Sequence, residues 1–422
     1  MRPCIAVLAA ATVTVSAAAV STSPAIADIR QPRVVSADPV NFTPHVLDGT
    51  VRAIAVVGSK AVVAGSFEKV REAGKNKPAV ARHNLFAYDL ATGKIDPAFR
   101  PRVNGTVHTL QAAADASVYL GGTFTTVNGA KTGTLARLKV PTGALVTGFK
   151  PAVNYRVYTM ARRGAHLYIG GTFTKVAGKA RSAVARVNAN TGAPDPAFTV
   201  AATDPRQGAL KVYRLAVNPQ NTRLVINGTF TKVDGKRRYQ IAMVDTKSSP
   251  ARLTSWSTER YATPCSTSSF DTYMRGMDFS PDGSYFVVVT TGGVHGPAQL
   301  CDTAARWETD KSGSRQNPTW VNWTGGDTLL STSVTGATVY VGGHQRWMDN
   351  KYGLGYAGPG AVARPGIAAL NPATGKALPW NPTRTLGHGV EALVATPKGL
   401  LVGSDTDRLG GEYHGRLGMF PL

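Results

Sequence analysis

Short apolar stretches recur along this chain in pairs, and a tight turn separates the members of each pair. The first stretch is half apolar, as in Val51 to Val57, and the second is rich in β-branched and aromatic residues, as in Leu167 to Ile169. The turns carry proline, glycine or asparagine, as in Ser280-Pro281-Asp282-Gly283, and such residues close hairpins. This pattern predicts short β-strands, and no helical periodicity competes with it.

A repeated Gly-Thr-Phe motif, with Ser in place of Thr in the first copy, follows the second strand and defines the repeating unit. It reads Gly65-Ser66-Phe67, Gly122-Thr123-Phe124, Gly171-Thr172-Phe173 and Gly228-Thr229-Phe230, with the phenylalanines 57, 49 and 57 residues apart. A polar loop leads from it to a third strand, such as Leu85 to Tyr88. A Thr-Gly turn then introduces a short fourth strand, typified by Asp96 to Pro101. Self-similarity at this period predicts an array whose units bury their apolar faces against one another.

Seven first strands can be counted, so the predicted fold is all-β, a single seven-bladed β-propeller with four-stranded blades. The chain stops after Arg416 to Phe420, which matches a third strand, so the seventh unit lacks its fourth. The segment Asp38 to Pro44 matches a fourth strand that has no unit before it. We therefore expect the N-terminal strand to complete the C-terminal blade and close the ring, which removes an open sheet edge.

These motifs resemble the delta-sixty propeller repeat of secreted bacterial proteins, whose hallmark is GGTF-x-x-V-x-G followed by L-A-R-L. Here the hallmark stands most fully as Gly121 to Gly129 with Leu135-Ala136-Arg137-Leu138, and again as Gly170 to Gly178 with Val184 to Val187. The likeness covers the first four units well and the last three by spacing. The resemblance implies a propeller fold and an extracellular setting, and it implies no catalytic residue.

The N-terminus has the features of a secretory signal peptide. Arg2 is the only charge in residues 1–27, an apolar run follows it, and Ala25-Ile26-Ala27 supplies a small-x-small cleavage site. We therefore divide the chain into a signal peptide (1–27), a short tail (28–33) and the propeller (34–422), and we expect secretion. No other segment is long and apolar enough to span a membrane.

Charge and cysteine content narrow the expected partners. The formal charge of +22 becomes +21 when the signal peptide with Arg2 is removed. A field of this size favours anionic surfaces and polymers, although it also serves solubility in secreted proteins. Only Cys265 and Cys301 remain in the mature chain, and both fall in loops that should open on one face of unit five. In an oxidising compartment they predict one disulfide.

The loops between the second and third strands of units one to four are basic. Their net charges are +2, +1, +3 and +3, whereas the same loops of units five and seven are negative. We call the resulting surface the basic crescent. Arginine and lysine there suit phosphate or carboxylate groups, although solvated loop residues would look the same. The predicted contacts are Lys175, Lys179, Arg181, Lys232, Lys236, Arg237 and Arg238.

In unit six a long loop, Gly343 to Tyr356, replaces the repeated Gly-Thr-Phe motif. Its composition of Trp, Tyr, His and Asn is typical of stacking and hydrogen-bonding sites, as sugar binding needs, but such aromatics can also cover a blade. The ligand contacts predicted on this loop are Arg346, Trp347 and Tyr352. The eight histidines are scattered, and no zinc, metalloprotease or serine-hydrolase motif is found, so no metal, cofactor or catalytic residue is predicted.

The function favoured by these features is a secreted binding propeller. It would recognise an anionic or glycan polymer, or a secreted partner protein, through its loop face. We expect a monomer without specific nucleic-acid recognition. One alternative is an extracellular enzyme (a glycoside hydrolase, a lyase or a quinone-dependent oxidoreductase) with its site at the mouth of the axial channel. Another is a structural module of a secreted assembly. Converging carboxylates or His and Arg side chains at the axis would favour the enzyme.

Overall fold

The computed structural model describes residues 29–266 and 268–422, and the signal peptide predicted for residues 1–27 lies outside this range. Every helix or strand assigned in the described part of the chain is a strand, which confirms the all-β class. Seven main antiparallel sheets follow one another along the described chain, numbered here 1 to 7 in sequence order. In each of them the first strand pairs with the second and the second pairs with the third.

The main strands agree closely with the predicted ones. The first strands are Thr50–Val57, Val107–Ala112, Val157–Arg163, Val212–Val217, Met274–Phe279, Leu329–Val334 and Val390–Thr396. The second strands are Lys60–Ser66, Ser117–Gly122, His166–Gly171, Arg223–Gly228, Tyr285–Thr290, Val339–Gly343 and Gly399–Ser404. The third strands are Leu85–Asp89, Leu135–Lys139, Val184–Asn188, Ile241–Asp245, Thr303–Glu308, Ile367–Leu370 and Leu417–Pro421.

The fourth strand departs from the prediction in most sheets. It is regular in sheets 4 and 5, as Arg252–Leu253 and Trp320–Trp323. Elsewhere single bridges mark its place: Tyr88 with Ile95, Leu138 with Leu145, Val187 with Pro194, and Leu370 with Ala377. In sheets 1, 3 and 6 proline contributes to the difference, because Pro97, Pro194 and Pro379 have no N–H group to donate to a third strand.

The loops after the second strands, expected to be irregular, contain short hairpins in six of the described sheets. These are Lys69–Arg71 with Ala79–Ala81, Thr126–Val127 with Ala130–Lys131, Lys175–Val176 with Lys179–Ala180, Phe230–Val233 with Lys236–Arg237, Trp347–Met348 with Val362–Ala363, and Arg408–Leu409 with Glu412–Tyr413. His45–Val46 and Ala202–Pro205 each add a third strand. The turn residues Asn128 and Gly129 have φ of 52° and 79°, as a type I′ hairpin requires.

Neighbouring sheets pack face to face, and the repeated phenylalanines lie between them. Phe67, Phe124, Phe173 and Phe230 are at most 2% exposed, which agrees with a packing role. The apolar cluster around Phe124, for example, joins Val62 of sheet 1 with Leu138 of sheet 2.

A glycine near the end of the second strand brings the next sheet close. A Cβ atom on Gly121 would lie 2.7 Å from a methyl group of Val157, the first residue of the next first strand. The same contact joins Gly170 to Val212, Gly342 to Val390, and Gly403 of sheet 7 to Val51 of sheet 1. A larger residue would therefore push the sheets apart at these positions.

Cys265 and Cys301 form a disulfide across 36 residues, as predicted, with their Cα atoms 5.9 Å apart. Cys265 precedes the first strand of sheet 5, and Cys301 precedes its third strand. The bridge occupies the place that a hairpin takes in the other sheets.

The N-terminal segment runs beside the last strand of sheet 7. The N–H groups of Ser36 and Val40 donate to the carbonyls of Pro421 and Met419, at 2.7 and 2.9 Å. The buried side chain of Gln31 donates to the carbonyls of Thr396 and Gly399 in the same sheet. The segment is therefore bound by backbone and side-chain hydrogen bonds together.

We predict that removing residues 28–42 will lower the free energy of unfolding of the mature chain by about 3–5 kcal/mol, because several hydrogen bonds of about 1 kcal/mol each are lost. Chemical denaturation of the shortened and full mature chains measures the difference. A synthetic peptide of residues 29–46, added to the shortened chain, should restore part of the loss. Equal unfolding midpoints without the peptide would contradict the prediction.

Candidate functional site

The first strand of every main sheet in the described chain contains a β-bulge near its start. The pairing register shifts after Val51, Val107, Val157, Val212, Met274, Leu329 and Val390. The residues at the bulges are Arg52, His108, Tyr158, Tyr213, Arg275 with Gly276, Leu330 and Glu391. Bulges re-aim side chains and are common next to functional sites. We call these residues the bulge ring.

Most residues of the bulge ring line a cavity of about 160 Å³, here called the axial cavity, whereas Tyr213 and Arg275 are not among its lining residues. All seven first strands contribute to its wall, which includes Arg52, His108, Tyr158, Arg214, Gly276, Leu330 and Glu391. The bulges lie where each second strand leaves its sheet, since Val51 pairs with Gly65 just before the hairpin loop. The cavity and the loops after the second strands therefore belong to the same face.

One side of the axial cavity is an ion-pair cluster around a buried carboxylate. Glu391 is 8% exposed, and its Oε1 lies 3.0 Å from a guanidinium nitrogen of Arg52 and 3.3 Å from Nε2 of His388. Burial alone would raise the pKa of Glu391, but the His388 hydrogen bond and the charges of Arg52 and Arg214 outweigh it and lower the pKa to about 2. Glu391 is thus ionised at neutral pH.

The other side of the cavity is aromatic and cationic. The ring centroid of Tyr158 lies 5.1 Å from that of His108 and 5.9 Å from that of Tyr213. The guanidinium groups of Arg214 and Arg275 lie 4.8 and 5.1 Å from the centroid of Tyr213. Burial, together with the nearby arginines Arg52 and Arg214, lowers the pKa of His108 to about 4, so its imidazole is neutral at pH 7.

Sequence reasoning missed the bulge ring, although the sequence contains a signal for it. Each bulge residue directly follows the apolar residue that begins a first strand, and aligning the units on that residue brings them into one column. The sequence analysis assigned those positions to half-apolar strands and gave them no separate role. The residue type at the bulge also differs from sheet to sheet, from the apolar Leu330 to the acidic Glu391. No repeated sequence motif therefore marks the bulge ring.

The basic crescent lies on the hairpins of sheets 3 and 4, where its residues fall into two groups. Lys175, Lys179, Lys236 and Arg237 are exposed strand residues of these hairpins. Lys232 is paired with Asp204 at 2.8 Å. Their role as ligand contacts stays a prediction.

Arg181 and Arg238 have a structural role in the crescent. Arg238 is 9% exposed and donates to the carbonyls of Arg237 and Thr254, both at 2.7 Å. Arg181 makes the equivalent pair of bonds to Ala180 and Asp195. Arg82 and Arg364 repeat the arrangement in sheets 1 and 6. These arginines join a hairpin to the fourth-strand segment of the same sheet.

The unit-six loop combines a fixed part with an exposed part. Arg346 forms a bidentate ion pair with Asp327 at 2.8 and 3.0 Å, and its guanidinium lies 4.2 Å from the ring centroid of Trp347. Tyr352 and Tyr356 are 57% and 58% exposed. The structure therefore uses Arg346 to anchor the loop and leaves the two tyrosines open to solvent. Ligand binding by Arg346, Trp347 and Tyr352 stays a prediction.

Comparison with known proteins supports the fold. A family model described as "Domain of unknown function (DUF5122) beta-propeller" matches residues 166–198, which run from the second strand of sheet 3 through its fourth-strand segment. The crystal structure of RRP9 WD40 repeats is similar with a TM-score of 0.54 and 11% identity, over 91% of this chain and 100% of that chain. The chain has a β-propeller fold. Its assignment to the delta-sixty type stays a prediction.

Two further comparisons add no functional information. The computationally designed Ika8 protein is similar over 92% of this chain and 99% of its own, with 12% identity and a TM-score of 0.49. No curated protein matches this chain. In the described part of the chain, no helix is long and apolar enough to cross a membrane.

We predict that Arg238→Ala will lower the free energy of unfolding by about 1–3 kcal/mol, because the carbonyls of Arg237 and Thr254 lose a charged donor that is itself buried. Arg237→Ala is the matched control, since it removes the same charge from an exposed neighbour and should change stability by less than about 0.5 kcal/mol. Denaturant unfolding measures both. Equal effects of the two alanine variants would contradict the structural role.

In sheet 2 the residue equivalent to Arg238 is Thr132, so Thr132→Arg should stabilise the fold.

We predict that Glu391→Gln will destabilise the fold by about 3 kcal/mol at pH 7. The pKa of Glu391 falls from 4.5 to about 2 on folding, so its contribution is fully present above 4.5 and is lost as the pH falls through about 2. Unfolding of both proteins at pH 7 and pH 2 should show the gap closing. His388→Ala removes the hydrogen-bond partner of Glu391, so its effect should likewise disappear near pH 2, where Glu391 becomes protonated. A gap that is the same at both pH values would refute the assignment.

Proposed function

We propose that this protein is a secreted β-propeller that binds an anionic or glycan ligand of the extracellular space at the mouth of its axial cavity. The observation that carries the proposal is the axial cavity, which is lined by residues from all seven first strands, among them Arg52, His108 and Glu391. Packing alone would be served by apolar residues at these positions. Arg52 and Arg214 instead give the cavity a cationic character that suits an anionic ligand.

The proposal includes a closed ring of seven blades, one for each main sheet. The contact of Gly403 with Val51 supports closure, because it joins sheet 7 to sheet 1 in the way that successive sheets are joined. Packing between the first strands of sheets 7 and 1 also supports it. The hydrogen bonds of Ser36 and Val40 to the last strand support an N-terminal strand that completes blade 7.

Secretion is part of the proposal and rests on two features. The first is the signal-like pattern of residues 1–27. The second is the disulfide between Cys265 and Cys301, since structural disulfides persist mainly in oxidising compartments outside the cytosol.

The basic crescent and the unit-six loop would extend the axial site. They follow second strands, so they open on the face where the axial cavity opens. Exposed lysines such as Lys175 and Lys236 would attract a polyanion at long range, and Tyr352 would add a stacking surface. We assign most of the binding energy to the axial cavity, because partly buried charged groups are less screened by solvent than exposed ones.

An extracellular enzyme is the second candidate, and a specific observation favours it. His108, Arg52, Arg214 and Glu391 converge on the axial cavity, and a combination of neutral imidazole, guanidinium and carboxylate can also support catalysis. Lyase or hydrolase activity would release products from a bound glycan. Product analysis after prolonged incubation with each glycan that binds distinguishes this candidate from the binding protein.

We predict that Arg214→Gln will weaken retention of the mature chain on an acidic-polysaccharide matrix by tenfold or more. Arg237→Gln is the matched control, because both arginines stack on a neighbouring tyrosine and both substitutions remove one charge. The control should weaken retention by less than about threefold, since exposed charges contribute little. Retention is measured over a salt series, with thermal unfolding as a test of folding.

Three results would count against the axial site or against the proposal. A loss of retention with Arg237→Gln alone would place binding on the basic crescent. Equal losses with the two variants would indicate nonspecific attraction to a basic protein. Failure of the unsubstituted mature chain to bind any anionic or neutral glycan would overturn the proposed function and favour a structural module.

A further inference from the structure

The side chains around the axial cavity also indicate which anionic ligand it takes. We infer that the cavity binds one acidic sugar residue of a glycan, with the sugar carboxylate on the arginines, a sugar hydroxyl on Glu391 and the sugar ring against the aromatic side. This inference rests on the proposed function and narrows its ligand class. It uses three observations: the size of the cavity, its mixture of donors and acceptor, and its aromatic wall.

The size of the axial cavity fits a single small ring. Its volume is about 160 Å³. Typical pockets for larger ligands are about 300–1,000 Å³. One sugar residue at the end or side of a chain can therefore enter, while the rest of the glycan stays on the loop face.

The charged groups of the cavity favour a ligand that both accepts and donates hydrogen bonds. Arg52 and Arg214 are donors, and guanidinium groups suit carboxylates. Glu391 is an acceptor, and both of its contacts among the described residues end on Oε1. Its Oε2 can therefore accept a hydrogen bond from a ligand hydroxyl.

This mixture separates acidic sugars from phosphate polymers. A polyphosphate offers negative oxygens and no donor at neutral pH, so the ionised Glu391 would repel it inside the cavity. A sugar acid offers one carboxylate and several hydroxyl donors, which match the two arginines and the glutamate. A nucleotide would also present donors and a stacking face, and it is therefore included among the ligands tested.

The aromatic wall supplies a surface for the sugar ring. Tyr158 lines the cavity between His108 and Tyr213, with centroid distances of 5.1 and 5.9 Å. Aromatic side chains provide a large rigid contact area with a polar end. The hydroxyl of Tyr158 is 3.4 Å from a guanidinium nitrogen of Arg156, which orients the ring at the mouth.

The test measures binding of the mature chain to four ligands by calorimetry. These are a uronic-acid oligosaccharide, its carboxyl-reduced neutral counterpart, inorganic polyphosphate and a nucleoside monophosphate. We expect the uronic-acid oligosaccharide to bind at least tenfold more tightly than each of the others. The affinity for the oligosaccharide should fall about tenfold when its carboxylates are reduced, because the charge-assisted hydrogen bonds to arginine disappear.

Variants connect this preference to the cavity. Tyr158→Leu should weaken binding of the uronic-acid oligosaccharide about tenfold. Tyr155→Leu is the control, because Tyr155 is 59% exposed, precedes the same strand and does not line the cavity. Its affinity should stay within about twofold of the unsubstituted chain. Thermal unfolding establishes that both variants are folded.

The outcomes distinguish this inference from the proposed function. If polyphosphate or the nucleotide binds as tightly as the uronic-acid oligosaccharide, the ligand class is wrong and the proposed function stands. If the carboxyl-reduced neutral oligosaccharide binds equally well, the arginines do not recognise a sugar carboxylate, and the inference is wrong. If Tyr158→Leu has no effect while binding persists, the axial cavity is not the sugar site. If none of the four ligands binds, both the inference and the axial site of the proposed function are overturned.

Discussion

The close contact between a glycine of one sheet and the first apolar residue of the next determines much of this structure. It occurs between Gly121 and Val157, and it recurs between Gly403 and Val51. In each case the first strand bulges immediately after the apolar residue. The valine is fixed by packing, so the bulge always begins at the same point of the sheet. Where this contact occurs, the constraint that spaces the sheets therefore also fixes which residue of the first strand lies at the bulge.

This arrangement explains why the fold was largely predictable and the axial site was not. The repeated Gly-Thr-Phe motif specifies where the second strands end. Its buried phenylalanines, such as Phe124 and Phe173, specify where neighbouring sheets pack. Strand prediction assumes simple alternation, and a bulge breaks alternation at one residue without changing composition. His108 and Glu391 therefore looked like ordinary polar positions in half-buried strands. Their common environment follows from the arrangement of sheets that are distant in sequence.

Other departures from prediction have local causes. The loops after the second strands form hairpins because pairs such as Asn128-Gly129 adopt positive φ, a signal that the sequence contained. In sheets 1, 3 and 6 the fourth strand is reduced to a single bridge where Pro97, Pro194 and Pro379 remove backbone donors. The disulfide was predictable because two cysteines in a mature chain leave one pairing, and the loop geometry allowed it.

Arginine shows why a sum of loop charges does not separate structural arginines from those that line the axial cavity. Arg238 binds carbonyls within its own sheet, Arg346 anchors a loop through Asp327, and Arg214 lines the axial cavity. These three roles are indistinguishable in a sum of loop charges, because each residue adds the same unit to it. What separates them is burial and the partner already present. An arginine whose N–H donors are already bonded within the protein adds to the positive electrostatic potential but offers few hydrogen bonds to a ligand. One that faces a cavity beside an ionised carboxylate, as Arg214 does beside Glu391, can contribute both.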